Sequence, residues 1–180
     1  MHLFWRHGYE PTSIADLTRA MGITPPSLYA AFGDKRRLFL EAVERYLGGA
    51  EALAETLHSA PTARQAAHDL LIAAAVGDTG EATPPGCLLA SSIISGSVEA
   101  EGVRADLARI RRGIETALRD RIDRDIGVGQ LPSDTDSRGL AGHVFAVVQG
   151  MSTLAKDGAD RDQLMRIVRS TMSAWPAQQQ

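Results

Sequence analysis

The chain has 180 residues, with 22 acidic against 19 basic side chains and a formal net charge of −3. That near-neutral balance excludes attachment to nucleic acid by bulk charge, and an apolar content of 44% excludes an intrinsically disordered chain. Twenty-seven alanines against 5% aromatic residues tilt the composition toward helix and away from a β-sandwich, which would need more Val, Thr and Tyr.

Glycine and proline punctuation divides the chain into helical segments. Gly8 closes an opening piece, Gly22 and Gly33 bracket two short ones, and Gly48-Gly49 interrupts or loosens a long one. Pro61, the stretch 77–86, the stretch 127–132 and Asp157-Gly158 separate the rest. No period-two alternation of a strand is present, so the fold class is all-α.

The first third carries the sharpest local signal. Thr12 and Ser13 are N-cap residues for a short helix running to about Met21, with Asp16 in its first turn, where a carboxylate suits the helix dipole. Ile14, Leu17 and Met21 are its expected buried face. Gly22-Ile23 then makes a tight turn, Thr24 caps the next helix, and Pro25 occupies its first turn, where a missing N–H costs little. Leu28 and Phe32 face inward. Two short helices joined by a glycine-bearing turn, with an apolar residue buried just after it, describe a helix-turn-helix. Gly33-Asp34 opens a longer helix whose first turn holds Lys35, Arg36 and Arg37. Cations there oppose the macrodipole, which makes sense where an anion such as a phosphate docks; a solvated charge cluster is the plainer alternative.

The run from Phe4 to Ile14, then Asp16-Leu17, Met21-Gly22-Ile23-Thr24, Ser27-Leu28-Tyr29, Phe32-Gly33-Asp34-Lys35 and Leu38-Phe39, closely resembles the TetR/AcrR family of bacterial transcriptional regulators. The resemblance covers about the first 47 residues. It implies a three-helix DNA-binding head at 1–47, a helical ligand-binding and dimerisation domain at 48–180, and about nine helices in all. It also implies a homodimer formed through the last two helices and repression relieved by a small-molecule effector. The sequence starts inside the helix that opens the family's head, so either the sequence is trimmed there or the first helix is truncated. Thr24, Pro25, Pro26, Ser27 and Ala30 match the face of the reading helix that enters the major groove of double-stranded operator DNA. Tyr29 and Lys35 match phosphate contacts, and Thr12 matches a backbone contact at the start of the second helix. Ala30 and Ala31 stand where the family often carries His, Trp or Asn, which leaves few polar base readers. The alternative reading is a helical ligand-binding or protein-interaction module that has lost DNA binding.

Beyond residue 47 the sequence reads as a helical body able to hold a ligand between its helices. From Ala100 to Ile126 the positions Val103, Leu107, Ile110, Ile114, Leu118, Ile122 and Ile126 form one amphipathic stripe, leaving Arg and Asp for the other faces. His58, His68 and His143 lack metal-ligand spacing, Gly77 and Gly80 do not form a phosphate loop, and no catalytic set is visible, so neither an enzyme nor a cofactor is expected. The lone cysteine, Cys87, excludes a disulfide framework and fits a reducing, cytoplasmic setting. It opens the run Cys87-Leu88-Leu89, and a helix start there would line the effector pocket and lower the thiol pKa, giving a reactive thiol; the plainer reading is a small buried hydrophobe. Ser91, Phe145, Gln149 and Met151 are further candidate ligand contacts. The segment from Ser137 to Lys156 offers the stripe Leu140, Val144, Val147, Met151 and Leu154. Its small residues Gly142, Ala146 and Gly150 would admit a close helix. The charge-free part of this segment is too polar for a membrane span, and neither a targeting segment nor a membrane partner is expected. The last helix adds Leu164, Ile167, Val168, Thr171, Met172 and Trp175, and the two together suit a four-helix dimer interface.

Overall fold

The computed structural model describes residues 1–91 and 98–176. Among these the chain is helical throughout and contains no strand. The helices are α1 (His2–His7), α2 (Ile14–Met21), α3 (Pro25–Phe32), α4 (Lys35–Leu47), α5 (Ala50–Ser59), α6 (Ala63–Asp78), α7 (Leu88–Ser91), α8 (Val98–Gly127), α9 (Ser137–Lys156) and α10 (Arg161–Ser173). None of these is long and apolar enough to cross a membrane.

The head is assembled by local chemistry. Ser13 caps α2 in a reciprocal capping box with Asp16, and Gly22 ends it in the left-handed conformation at φ 66°. Thr24 caps α3 by accepting the Ser27 N–H, with Pro25 at its start. Phe4 and Tyr9 stack at 6.2 Å between centroids, and both meet Phe39 edge to face at 5.0 and 5.2 Å, which welds α1 to α4. The burial pattern departs from expectation at the turn. Met21 is 39% and Ile23 36% exposed, because α2 is only eight residues long and its last turn projects past the α1–α4 core. Leu17 and Thr18 are what α2 buries, and Leu28 is the first buried residue after the turn. Phe32 is half-buried.

The long stripe of α8 is buried as its spacing predicts, with Val103, Leu107, Ile114, Leu118 and Ile122 inside. Its charged residues do not all face out. Asp106, Arg121 and Asp125 are buried, because each meets a partner from a distant segment. In α9 the buried row is Ala141, Val144, Val148, Met151, Ser152 and Ala155, rotated from the expected stripe: Val147 is half-buried and Leu154 is 37% exposed. Ala146 and Gly150 lie exposed and Gly142 is half-buried, while α10 buries Leu164, Val168 and Met172 within its own chain.

Candidate DNA-contacting face and effector cavity

Helix α3 buries Leu28 alone. Thr24, Pro25, Pro26, Ser27 and Ala30 share one exposed surface, and Tyr29 joins them with 48% of its surface free. At that exposure Tyr29 is not a core packing residue of the head. The Thr24 and Ser27 hydroxyls lie 2.9 Å apart at the tip of the helix, where its first backbone N–H groups point outward.

Two of the matched phosphate contacts are built differently from what their positions suggest. Thr12 is 2% exposed and its hydroxyl donates to the Gly8 carbonyl at 2.7 Å, so the side chain closes the α1–α2 corner instead of facing out. Lys35 is half-buried, its ammonium donating to the Glu10 carbonyl at 3.2 Å and lying 4.4 Å from the centre of the Tyr9 ring. This lysine is thus a brace between α4 and the α1–α2 loop, with part of its charge still at the surface. The basic triplet is also divided. Arg36 reaches across to the body, its Nε and Nη2 donating to Asp106 Oδ2 at 3.0 and 2.6 Å, while Arg109 holds the other oxygen at 2.7 Å. The two arginines hold the Asp106 carboxyl below the usual carboxylate range against the upward pull of its burial. Arg37 stays exposed beside Gly33.

A cavity of about 260 Å³ opens into the body, walled by α4, α5, α6, α7, α8, α9 and the segment before α7. Its lining is chiefly apolar, with Leu47, Leu53, Leu70, Ile114, Phe145 and Val148, and it is joined by Tyr46, Asp78, Cys87 and Gln149. Of the residues expected here, Cys87, Phe145 and Gln149 line the cavity. Met151 does not; at 1% exposure it belongs to the buried row of α9, which its own chain covers. The side chain of Ser91 lies outside the described residues. Two polar wall residues escaped the sequence reading, Tyr46 and Asp78. The helical register of Leu70, Ala74, Gly77 and Asp78 was the available signal for the latter, since positions four, seven and eight residues on share one face.

The polar end of the cavity is strongly desolvated. Burial pushes the Cys87 thiol up, and this overrides the lowering expected from a helix start, because α7 is only four residues long and the thiol sits among apolar groups. Cys87 N donates to Ser152 Oγ at 2.7 Å, and its thiol shares a hydrogen bond with the Tyr46 hydroxyl. Burial likewise raises the Tyr46 phenol and lifts the Asp78 carboxyl to about 7. The Tyr46 ring packs edge to face on Trp5 of α1, 4.8 Å between centroids, and the Trp5 indole donates to Gly86 O at 2.6 Å. One wall of the cavity is therefore in direct contact with the head.

A helix-turn-helix head with its second helix bare, set on a helical body with a chiefly apolar cavity, defines a DNA-binding transcriptional regulator. Residues 1–42 match the family model of bacterial regulatory proteins of the tetR family, and residues 68–171 match that of the tetracyclin repressor-like C-terminal domain. The chain is 33% identical to the HTH-type transcriptional repressor ComR of Escherichia coli (strain K12), over 98% of this chain and 85% of that protein. Among solved structures it resembles a cysteine-substituted TetR family regulator CifR complexed with 26-base-pair operator DNA, at 40% identity and TM-score 0.88, covering 97% of this chain and 92% of that one. A TetR regulator from Rhodococcus sp. RHA1 is 37% identical with a TM-score of 0.68, covering 98% of this chain and 95% of that one. The chain belongs to the TetR family.

Proposed function

We propose that this protein is a homodimeric repressor that holds double-stranded operator DNA with two heads and releases it when a small molecule fills the body cavity. The observation that carries this reading is the position of α4. Its first turn is braced to the head through Lys35, and its last turn supplies Tyr46 and Leu47 to the cavity wall. A helix of 13 residues spans about 20 Å, so a ligand that displaces its end tilts the head. Such coupling requires the ligand to bind the DNA-free arrangement better, and by linkage DNA then weakens ligand binding.

Residues 1–47 form the reading domain and 48–180 the effector and dimer domain. Thr24, Pro25, Pro26, Ser27 and Ala30 meet base edges, whereas Tyr29 and Lys35 meet phosphates. The exposed small residues Ala146 and Gly150 on α9, with the free flank of α10, support pairing of two chains through these last two helices. The protein acts in the cytoplasm, where its DNA is, and performs no catalysis. A gel-shift titration of DNA upstream of its own coding sequence tests the assignment. A specific complex at two chains per site is expected, with Lys35→Ala weakening it; no sequence preference over bulk DNA would overturn the reading.

A further inference from the structure

The cavity contains one group that its own walls leave unsatisfied. Asp78, at the end of α6, is 1% exposed, and its Oδ2 has no hydrogen-bond partner among the described residues. A buried carboxylate oxygen without a partner is costly, so such an atom in a chiefly apolar wall marks a place where something from outside completes the bonding.

The nearby cations are all committed elsewhere. Arg111 on α8 donates to the Leu89 carbonyl at 3.3 Å, and Arg161 on α10 donates to Thr79 Oγ1 and O at 3.2 and 3.3 Å. The stem of Lys156 on α9 lies across Gly86 with its head at the surface. Tyr46 on α4 is hydrogen-bonded to the Cys87 thiol and the Leu88 backbone, Cys87 is also bonded to the backbone of Leu89 and Ala90, and Gln149 on α9 carries no charge. Desolvation alone raises the Asp78 carboxyl, which is what a site without a compensating positive charge produces. Resting on the effector reading above, we infer that the body cavity takes a small lipophilic amine, whose ammonium group pairs with Asp78 while its apolar part fills the space between Leu53, Leu70 and Phe145. A volume of about 260 Å³ lies just under the ~300 Å³ at which pockets for drug-sized ligands begin, so the occupant is small.

The test is calorimetric titration of the full-length protein with octylamine, octanol and octanoate, three probes of one chain length and different charge. Octylamine binds at least tenfold tighter than octanol, and octanoate binds weakest. Pairing ionises Asp78, so at pH 7 the amine complex releases about half a proton, seen as a heat that varies with buffer ionisation enthalpy. Asp78→Asn abolishes both the preference for the amine and the proton release, while circular dichroism reports the intact fold. Equal binding of octanol and octylamine, or no binding of the amine, would overturn the inference, as would a preference that survives in D78N. A parallel gel shift separates the two claims. Asp78-dependent amine binding that leaves operator affinity unchanged refutes effector release and keeps the ligand class.

Discussion

Arg121 and Asp125 sit one turn apart on α8 with side chains only 5% and 3% exposed. Arg121 Nε and Nη2 donate to the carbonyls of Ala60 and Pro61 at 2.9 and 2.8 Å, and Asp125 Oδ2 accepts the Ala63 N–H at 2.7 Å. The two side chains approach to 2.6 Å at an angle unsuited to a hydrogen bond, so their mutual contact is coulombic. Together they clasp the turn between α5 and α6 onto α8, which holds three walls of the body cavity in register. Asp125→Ala strands a buried guanidinium and orphans the Ala63 N–H, a loss of about 3–5 kcal/mol. For a chain of this size that lowers the melting temperature by roughly 6–20 °C. Urea and thermal unfolding at fixed protein concentration measure it, since a dimer's stability depends on concentration. Arg121→Ala should cost as much. The double variant should cost less than the sum of the two, because each single change already leaves its partner uncompensated. A loss below about 1 kcal/mol for either single variant, or strict additivity, would refute the clasp.

Three further outcomes follow from the same geometry. Tyr29→Phe should weaken operator binding by about fivefold, the worth of one hydrogen bond, without changing the melting temperature; an unaltered gel-shift midpoint would remove Tyr29 from the DNA face. Asp78 is raised from 3.8 in the unfolded chain to about 7, so the folded protein binds more protons between these values and its stability falls as pH rises from about 4 to 7. Urea midpoints across that range should show this decline in the wild type and lose it in Asp78→Asn, and parallel profiles would show that Asp78 titrates normally. Gly86 has φ 77°, and a Cβ there would meet the Ser152 carbonyl at 2.9 Å and Lys156 Cγ at 2.7 Å. Gly86→Ala should therefore cost at least about 1 kcal/mol and loosen the Trp5 anchor, measurable as a lower melting temperature and altered indole fluorescence; an unchanged melting temperature would mean the loop relaxes freely.

Local chemistry determined a good part of this protein from sequence alone. The capped pair α2–α3, the left-handed Gly22 and the α8 stripe depend on residues within a few positions of one another. Capping, turn preference and helical period act over that range, so they could be read directly. Met21 shows where the rule weakens: its spacing suits burial, but a two-turn helix has no neighbour beyond its end.

The divided basic triplet needed the fold. Lys35, Arg36 and Arg37 are identical in kind as a string, yet one braces the head, one pairs with Asp106 seventy positions away, and one stays in water. Thr12, Asp78 and the Arg121–Asp125 pair are likewise assigned by partners that sequence distance hides. The chain's near-neutral charge ruled out bulk attraction to DNA. Which cations remain free for phosphate, and which carboxylate is left waiting in an apolar cavity, was decided only by packing, because desolvation and pairing depend on what surrounds a group in space.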